Sequence, residues 1–180
     1  MRDCIYYDKG AVIALRSGSY FDFENPDQSQ YTIEDIAHGL ANQCRFSGQV
    51  EPFYSVAEHS VLVDWLLPPA LQFQGLMHDA PEFVIGDMVT PLSRLLPDYR
   101  ALKARIERSV WARYGLPPTL SPEVKLVDAQ MLAAEKVQAM GNRDRWKCLE
   151  GVEPAPVALN FWTPAEAKAR FLARYYELAA

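Results

Sequence analysis

Apolar side chains recur every three to four residues along most of the chain, and this spacing predicts helices. Ile33, Ile36, Ala37, Leu40 and Ala41 form one such stripe, opened by Thr32 as cap with Asp35 at the third helical position. Ser47-Gly48 breaks it, and Ser55 caps the next helix, with Glu58 completing a capping-box pattern and Val56, His59, Val63 and Leu66 near one face. Pro68-Pro69 ends that helix and starts another over 70–80, with a further turn to Ile85. After a loop from Gly86-Asp87 through Thr90-Pro91, Pro97-Asp98 opens an amphipathic helix to Tyr114 that turns Leu102, Ile106, Val110 and Trp111 inward. Gly115-Leu116-Pro117-Pro118 stops it. Ser121-Pro122-Glu123 reads as cap, proline and acid of a long helix to about Met140. Residues 141–162 read as an irregular connection, and Thr163-Pro164 opens a last helix over about 163–178. Only residues 11–23, with β-branched and aromatic side chains around Ser17-Gly18-Ser19, suggest a short hairpin. The expected fold class is therefore all-α, a compact helical bundle with a short N-terminal β-hairpin. No long Pro/Gly-rich linker divides the chain, so residues 1–180 are expected to form a single domain with its core at about 30–140.

Composition narrows the function. With 180 residues, 49% of them hydrophobic and 23% charged, the chain is long enough for one sizeable core. Eighteen basic against 23 acidic residues leave a net charge of −5, which argues against a stable nucleic-acid partner but leaves room for a small basic pocket. No apolar run approaches the roughly 20 residues needed to cross a bilayer, so no membrane association is expected. The start, with Asp3 and no apolar core, does not read as a signal peptide. Cys4, Cys44 and Cys148 are scattered and lack a CxxC spacing, so neither a disulfide framework nor a zinc ribbon is expected, and a reducing cytoplasm is the expected location.

The chemistry-bearing residues stand out against this background. Of the three histidines, His59 lies in mid-helix and His78 is followed directly by Asp79 at a helix end. Asp128 interrupts an apolar helical face among Val127, Ala129 and Leu132, where an unpaired carboxylate costs several kcal/mol if buried. Two imidazoles and two carboxylates make a mixed N/O set that suits a divalent metal (Mn, Co, Fe, Zn, Ni or Mg), with open positions for a water and a phosphate oxygen. His38 matches none of these positions and reads as a packed, paired or supporting residue. No P-loop glycine pattern is present, which argues against a kinase or motor.

The ordered set His59, His78-Asp79, Asp128 on separate helices resembles the HD-domain metal-dependent phosphohydrolases. Arg45-Phe46 with Ser55-Val56-Ala57-Glu58-His59-Ser60, then His78-Asp79-Ala80-Pro81-Glu82 with Gly86-Asp87 and Thr90-Pro91, then Val124-Lys125 with Asp128, resemble segments of bacterial 5′-deoxynucleotidases. The size and layout are also similar to phage-type HD enzymes that strip the triphosphate from dATP. The resemblance covers roughly residues 40–140. It implies an HD-type bundle with His59, His78, Asp79 and Asp128 as metal ligands. Glu82 would orient the nucleophilic water and Asp87 would assist proton transfer to the leaving oxygen. Arg45 and Lys125 would meet phosphate or sugar oxygens, and Phe46, Gly48 and Pro91 would lie near the base or sugar. Phe46 replaces the family's tryptophan and has no indole N–H to donate, and Gly48 replaces a larger apolar residue of the dATP-specific enzymes. Phe46 and Pro91 equally suit plain core or turn roles. The expected activity is hydrolysis of phosphate groups from a 5′-deoxynucleotide, a dATP-like triphosphate first. A 5′-deoxynucleotidase acting on dNMPs is the alternative, as is a non-catalytic nucleotide-binding domain or a hydrolase of cyclic or signalling nucleotides. Arg94, Arg100 and Lys103 are candidates for the extra cations a triphosphate needs. Apolar surfaces on 99–114 and 163–178 suggest a homo-oligomer.

Overall fold

The computed structural model describes residues 10–180, so Cys4 and the acidic start of the chain lie outside the described residues. The first elements are strands β1 (Val12–Ala14) and β2 (Tyr20–Asp22), paired antiparallel with Ile13 opposite Phe21. This is the expected hairpin, and its fully buried Phe21 packs on Tyr31 and Phe83 of the bundle. Everything else regular is helical: α1 (Ile33–Asn42), α2 (Val56–Trp65), α3 (Pro69–Met77), α4 (Glu82–Ile85), α5 (Thr90–Ser93), α6 (Pro97–Arg113), α7 (Pro122–Gln138) and α8 (Pro164–Leu178). The fold is thus mostly helical with one short hairpin, as the periodicity predicts.

Local chemistry accounts for the boundaries. Thr32 and Asp35 form a reciprocal capping box on α1, and Thr163 and Glu166 form another on α8. Ser55 accepts from the Glu58 N–H, and Ser121 from the Val124 N–H; such caps each contribute about 1 kcal/mol. Prolines open α3, α6, α7 and α8, where a missing N–H costs nothing. Two features differ from the sequence pattern. Thr90–Ser93 coils into the single turn of α5 instead of staying in a loop. The second half of the Ser55–Glu58 capping box does not form, because the Glu58 carboxylate is engaged elsewhere.

Helix α2 explains the architecture. Every residue from Val56 to Asp64 is buried, which is the signature of a central helix rather than a surface one. Val56, Ala57 and Val61 join a cluster with Ile36, Leu40, Leu76, Met77, Ile106, Val110 and Phe171. Leu62 and Val63 join a second one with Tyr54, Val124, Met131 and Ala134. Helix α2 is the spine between the two, with α3 and α8 against it and α1 and α7 on its flanks.

Polar residues on this spine are all engaged. The buried Glu58 accepts the backbone N–H groups of Asn160, Phe161 and Trp162 at 2.7, 2.9 and 2.7 Å, drawing the connection before α8 onto α2. Asp64 receives Arg174 of α8 at 2.5 Å. Among the described residues, no helix is long and apolar enough to cross a membrane.

Candidate metal centre and active site

The site forms where α2, the end of α3 and α7 meet. Helix α2 supplies His59, α7 supplies Asp128, and His78-Asp79 closes the last turn of α3. The His59 and His78 Nε2 atoms stand 3.3 Å apart. Asp128 Oδ1 lies 3.2 Å from the first and 3.9 Å from the second. Asp79 Oδ2 lies 3.6 and 3.2 Å from the same two nitrogens. Donors bound at about 2.0–2.2 Å around one ion stand roughly 3.0–3.5 Å apart, so these separations are close to those of a coordination shell. His59, His78 and Asp128 form a group that can hold a metal ion, and Asp79 faces it.

Each imidazole is aimed by a contact on its far side. The His78 Nδ1 lies 2.6 Å from the Gly75 carbonyl and donates to it. The His59 Nδ1 lies 2.5 Å from the Glu135 carboxylate. Both rings therefore turn Nε2 toward the shared centre, the arrangement that fixes the tautomer of ligating histidines. Trp111 Nε1 donates to the His78 carbonyl at 3.2 Å and secures the turn. Burial and Arg45 lower the His59 pKa, but Glu135 and Asp128 more than compensate, and it is pushed up to about 10. Burial pulls the His78 pKa down and Asp79 pulls it up, with a net rise. Burial raises the Asp79 pKa, yet the charges of His78, His59 and Arg45 prevail and hold it well below the usual carboxylate range.

A second ring of residues surrounds this centre. Arg45, only 7% exposed, directs Nη1 toward Asp79 at 3.7 Å and Asp87 at 3.6 Å. Glu82 is buried at the start of α4 with Lys103 of α6 at 2.9 Å from Oε1, while its Oε2 is buried without a hydrogen-bond partner among the described residues. Burial, Asp79 and Asp87 push the Glu82 pKa well above the ordinary carboxyl value, against the pull of Lys103. Phe46 is half-buried, its ring 5.5 Å from the Arg45 guanidinium and 6.5 Å from Trp146. Phe46 and Ser47 both adopt left-handed backbone, φ 55° and 53°, a conformation uncommon for such side chains.

Not every expected residue joins the cluster. Lys125 is exposed, and its side chain has no hydrogen bond or ion pair among the described residues. Gly48, at φ +77°, has nothing within 4 Å of a Cβ placed there, so no base-contacting wall stands at that position. Pro91 is exposed at the start of α5. Among the described residues, the polar partner of His38 is Asn42, whose amide lies 2.8 Å from the His38 carbonyl and 3.5 Å from its ring, and His38 stands apart from the cluster. Two further residues of the site carry no signal in the sequence. Glu135 is fully buried and touches His59, Arg45 and Tyr54. Gln43 donates to the Glu82 carbonyl at 2.6 Å and accepts the Asp87 N–H at 3.2 Å, fixing the α4 loop at both ends. Their partners lie 39 to 90 residues away, and no local pattern marks them.

No family model matches the chain. It is 39% identical over 172 aligned residues to the uncharacterized protein YfdR of Escherichia coli K12, a match covering 94% of this chain and 96% of that protein. It is 35% identical over 190 aligned positions to an uncharacterized protein of Rhodobacter capsulatus, covering 94% of this chain and 96% of the relative. The chain belongs to the family of these proteins.

Proposed function

We propose that the protein is a metal-dependent phosphohydrolase that releases phosphate from 5′-deoxynucleotides. The observation that carries this reading is the convergence of His59, His78, Asp79 and Asp128 on one point, with Arg45, Glu82 and Asp87 around it. A divalent cation held by the first four would polarise a phosphoryl oxygen and acidify a water. Arg45 Nη1 binds a phosphate oxygen. Glu82 has a buried oxygen without a partner among the described residues and a raised proton affinity, so it orients the attacking water and takes its proton. Water oxygen bonds to phosphorus, the phosphorus–oxygen bond to the leaving group breaks, and Asp87 assists proton delivery to the departing oxygen. These are positioning and charge effects, the usual means of catalysing phosphoryl transfer.

The cation inventory favours a monophosphate over a triphosphate. Lys103 is committed to Glu82, with Glu107 at 3.9 Å, and Arg94, Arg100 and Lys125 are exposed. Among the described residues, Arg45 is the cation that faces the centre, enough for one phosphate and few for three. The dATP-like triphosphate remains the second reading, on the resemblance in layout. The test is release of phosphate or tripolyphosphate from deoxy- and ribonucleoside mono- and triphosphates with Mn²⁺ or Co²⁺, beside Asp79→Ala. Turnover of dNMPs that the variant loses is the expected result. Turnover of dNTPs alone reverses the ranking, and silence across the panel from metal-loaded protein leaves only a binding domain.

A further inference from the structure

Glu135 occupies a position that core packing alone does not explain. It is fully buried on α7, two turns beyond Asp128. Its two oxygens serve different groups. Oε1 accepts from the His59 Nδ1 at 2.5 Å and from the Tyr54 hydroxyl at 2.8 Å. Oε2 accepts from Arg45 Nε at 3.2 Å and Nη2 at 3.0 Å. A buried ion pair is often replaced by apolar side chains of similar volume without loss of stability. What an apolar residue would not supply is orientation. With Nδ1–H spent on Oε1, His59 presents the Nε2 lone pair to His78, Asp79 and Asp128. With Nε and Nη2 spent on Oε2, Arg45 has Nη1 left for the acid pair Asp79 and Asp87.

We infer that Glu135 is a positioning residue that sets two functional groups at once, one oxygen aiming His59 at the metal and the other aiming Arg45 at the phosphate. The inference rests on the metal-centre reading above and goes beyond it. Because one carboxylate holds both groups, metal binding and anion binding are coupled through it, and the coupling is reciprocal. Metal at Nε2 makes the Nδ1–H a stronger donor to Oε1 and firms the frame on which Arg45 is held. Tyr54 shares Oε1 but faces neither ligand, so it separates burial from positioning.

The test compares wild type, Glu135→Gln and Tyr54→Phe. Calorimetric titration of metal-stripped protein gives the Mn²⁺ dissociation constant, and titration of Mn²⁺-loaded protein gives that of inorganic phosphate. Glutamine keeps the shape but puts an amide N–H₂ against either Arg45 or the His59 and Tyr54 donors. Expected is a loss of about 10–100-fold in Mn²⁺ affinity for Glu135→Gln, together with weaker phosphate binding, while Tyr54→Phe stays close to wild type in both. A folded Glu135→Gln with wild-type Mn²⁺ affinity overturns the inference, as does a Tyr54→Phe that loses as much as Glu135→Gln. Should Glu135→Gln fail to fold, a long-range ¹H–¹⁵N spectrum of Zn²⁺-loaded wild type decides. The His59 ring protonated at Nδ1 supports positioning by Glu135, and Nδ1 without a proton rejects it. Wild type that binds no metal removes the metal-centre reading itself, whereas wild-type binding with an indifferent Glu135→Gln removes only this inference.

Discussion

Lys103 approaches Glu82 at 2.9 Å, and the groups around that carboxylate make this contact matter. Asp79, Asp87, Glu107 and Tyr99 also face the region, and both Asp79 and Asp87 raise the Glu82 pKa on top of its burial. Lys103 is the cation that opposes them. Removing it as Lys103→Met raises the Glu82 pKa further, so a higher pH is needed to keep the carboxylate ionised. On the proposed hydrolase reading, the acid limb of the pH–rate profile then moves to higher pH, by about one unit or more, while Lys103→Arg retains the wild-type limb. An unmoved limb in a Met variant of normal melting temperature refutes the role given to Lys103. Residues of this kind were unequally legible in the sequence. The group of His59, His78 and Asp128 that could hold a metal ion is legible because Asp79 follows His78 directly and because Asp128 breaks an apolar face. From sequence, Lys103 reads only as a cation near the Thr90-Pro91 loop that suits a substrate phosphate, since nothing local shows that it is bound to an acid 21 residues earlier.

At the level of elements, the placement of Glu82 depends on how closely α1 and α4 approach. A Cβ on Gly39 of α1 would lie 2.7 Å from the Phe83 carbonyl oxygen and 2.8 Å from the Phe83 Cβ. Both are atoms of the element that carries Glu82, and neither can rotate away. On Gly75 of α3 the nearest atom is the flexible end of Leu67, with the Asp64 Cα at 3.3 Å. Alanine in a helix gains up to about 1 kcal/mol over glycine, and overpacking a tight contact costs about 1–3 kcal/mol. The gain roughly offsets the strain for Gly75→Ala. It does not for Gly39→Ala, which is expected to lose about 1–2 kcal/mol in urea unfolding and to lower kcat by shifting α4. A Gly39→Ala as stable and active as wild type would falsify the close packing of α1 on α4. The helices themselves were legible from period, caps and prolines. The role of α2 was not, because a helix buried on all sides has no polar face for the period to reveal. Glu58 matched a capping box in sequence, and the stronger partner, three N–H groups at residues 160–162, appears only when the chain is folded.

Across the whole molecule, the group that could hold a metal ion sits on the spine that joins the two apolar clusters, so on the proposed reading metal binding is linked to stability. The polar groups on α2 have fixed partners: Glu58 in the 160–162 backbone, Ser60 on the Val56 carbonyl, Asp64 on Arg174, and His59 Nδ1 on Glu135. The remaining polar edge of α2 is His59 Nε2, facing His78, Asp79 and Asp128. A cation bound there is bound by the folded chain alone, because the unfolded chain does not bring the four donors together. Such binding stabilises by RT ln(1 + [L]/Kd), about 2.7 kcal/mol at one hundred times Kd. For a domain of this length each kcal/mol moves the melting temperature by roughly 2–4 °C, so Mn²⁺ at that concentration should raise it by roughly 5–10 °C. Asp128 provides the discriminating variant, since its side chain is 45% exposed and belongs to neither apolar cluster. Asp128→Ala should therefore melt near the metal-stripped wild type and gain little from Mn²⁺. A wild type whose melting temperature ignores Mn²⁺, or an Asp128→Ala that rises with it equally, would mean that the four donors do not act as one site.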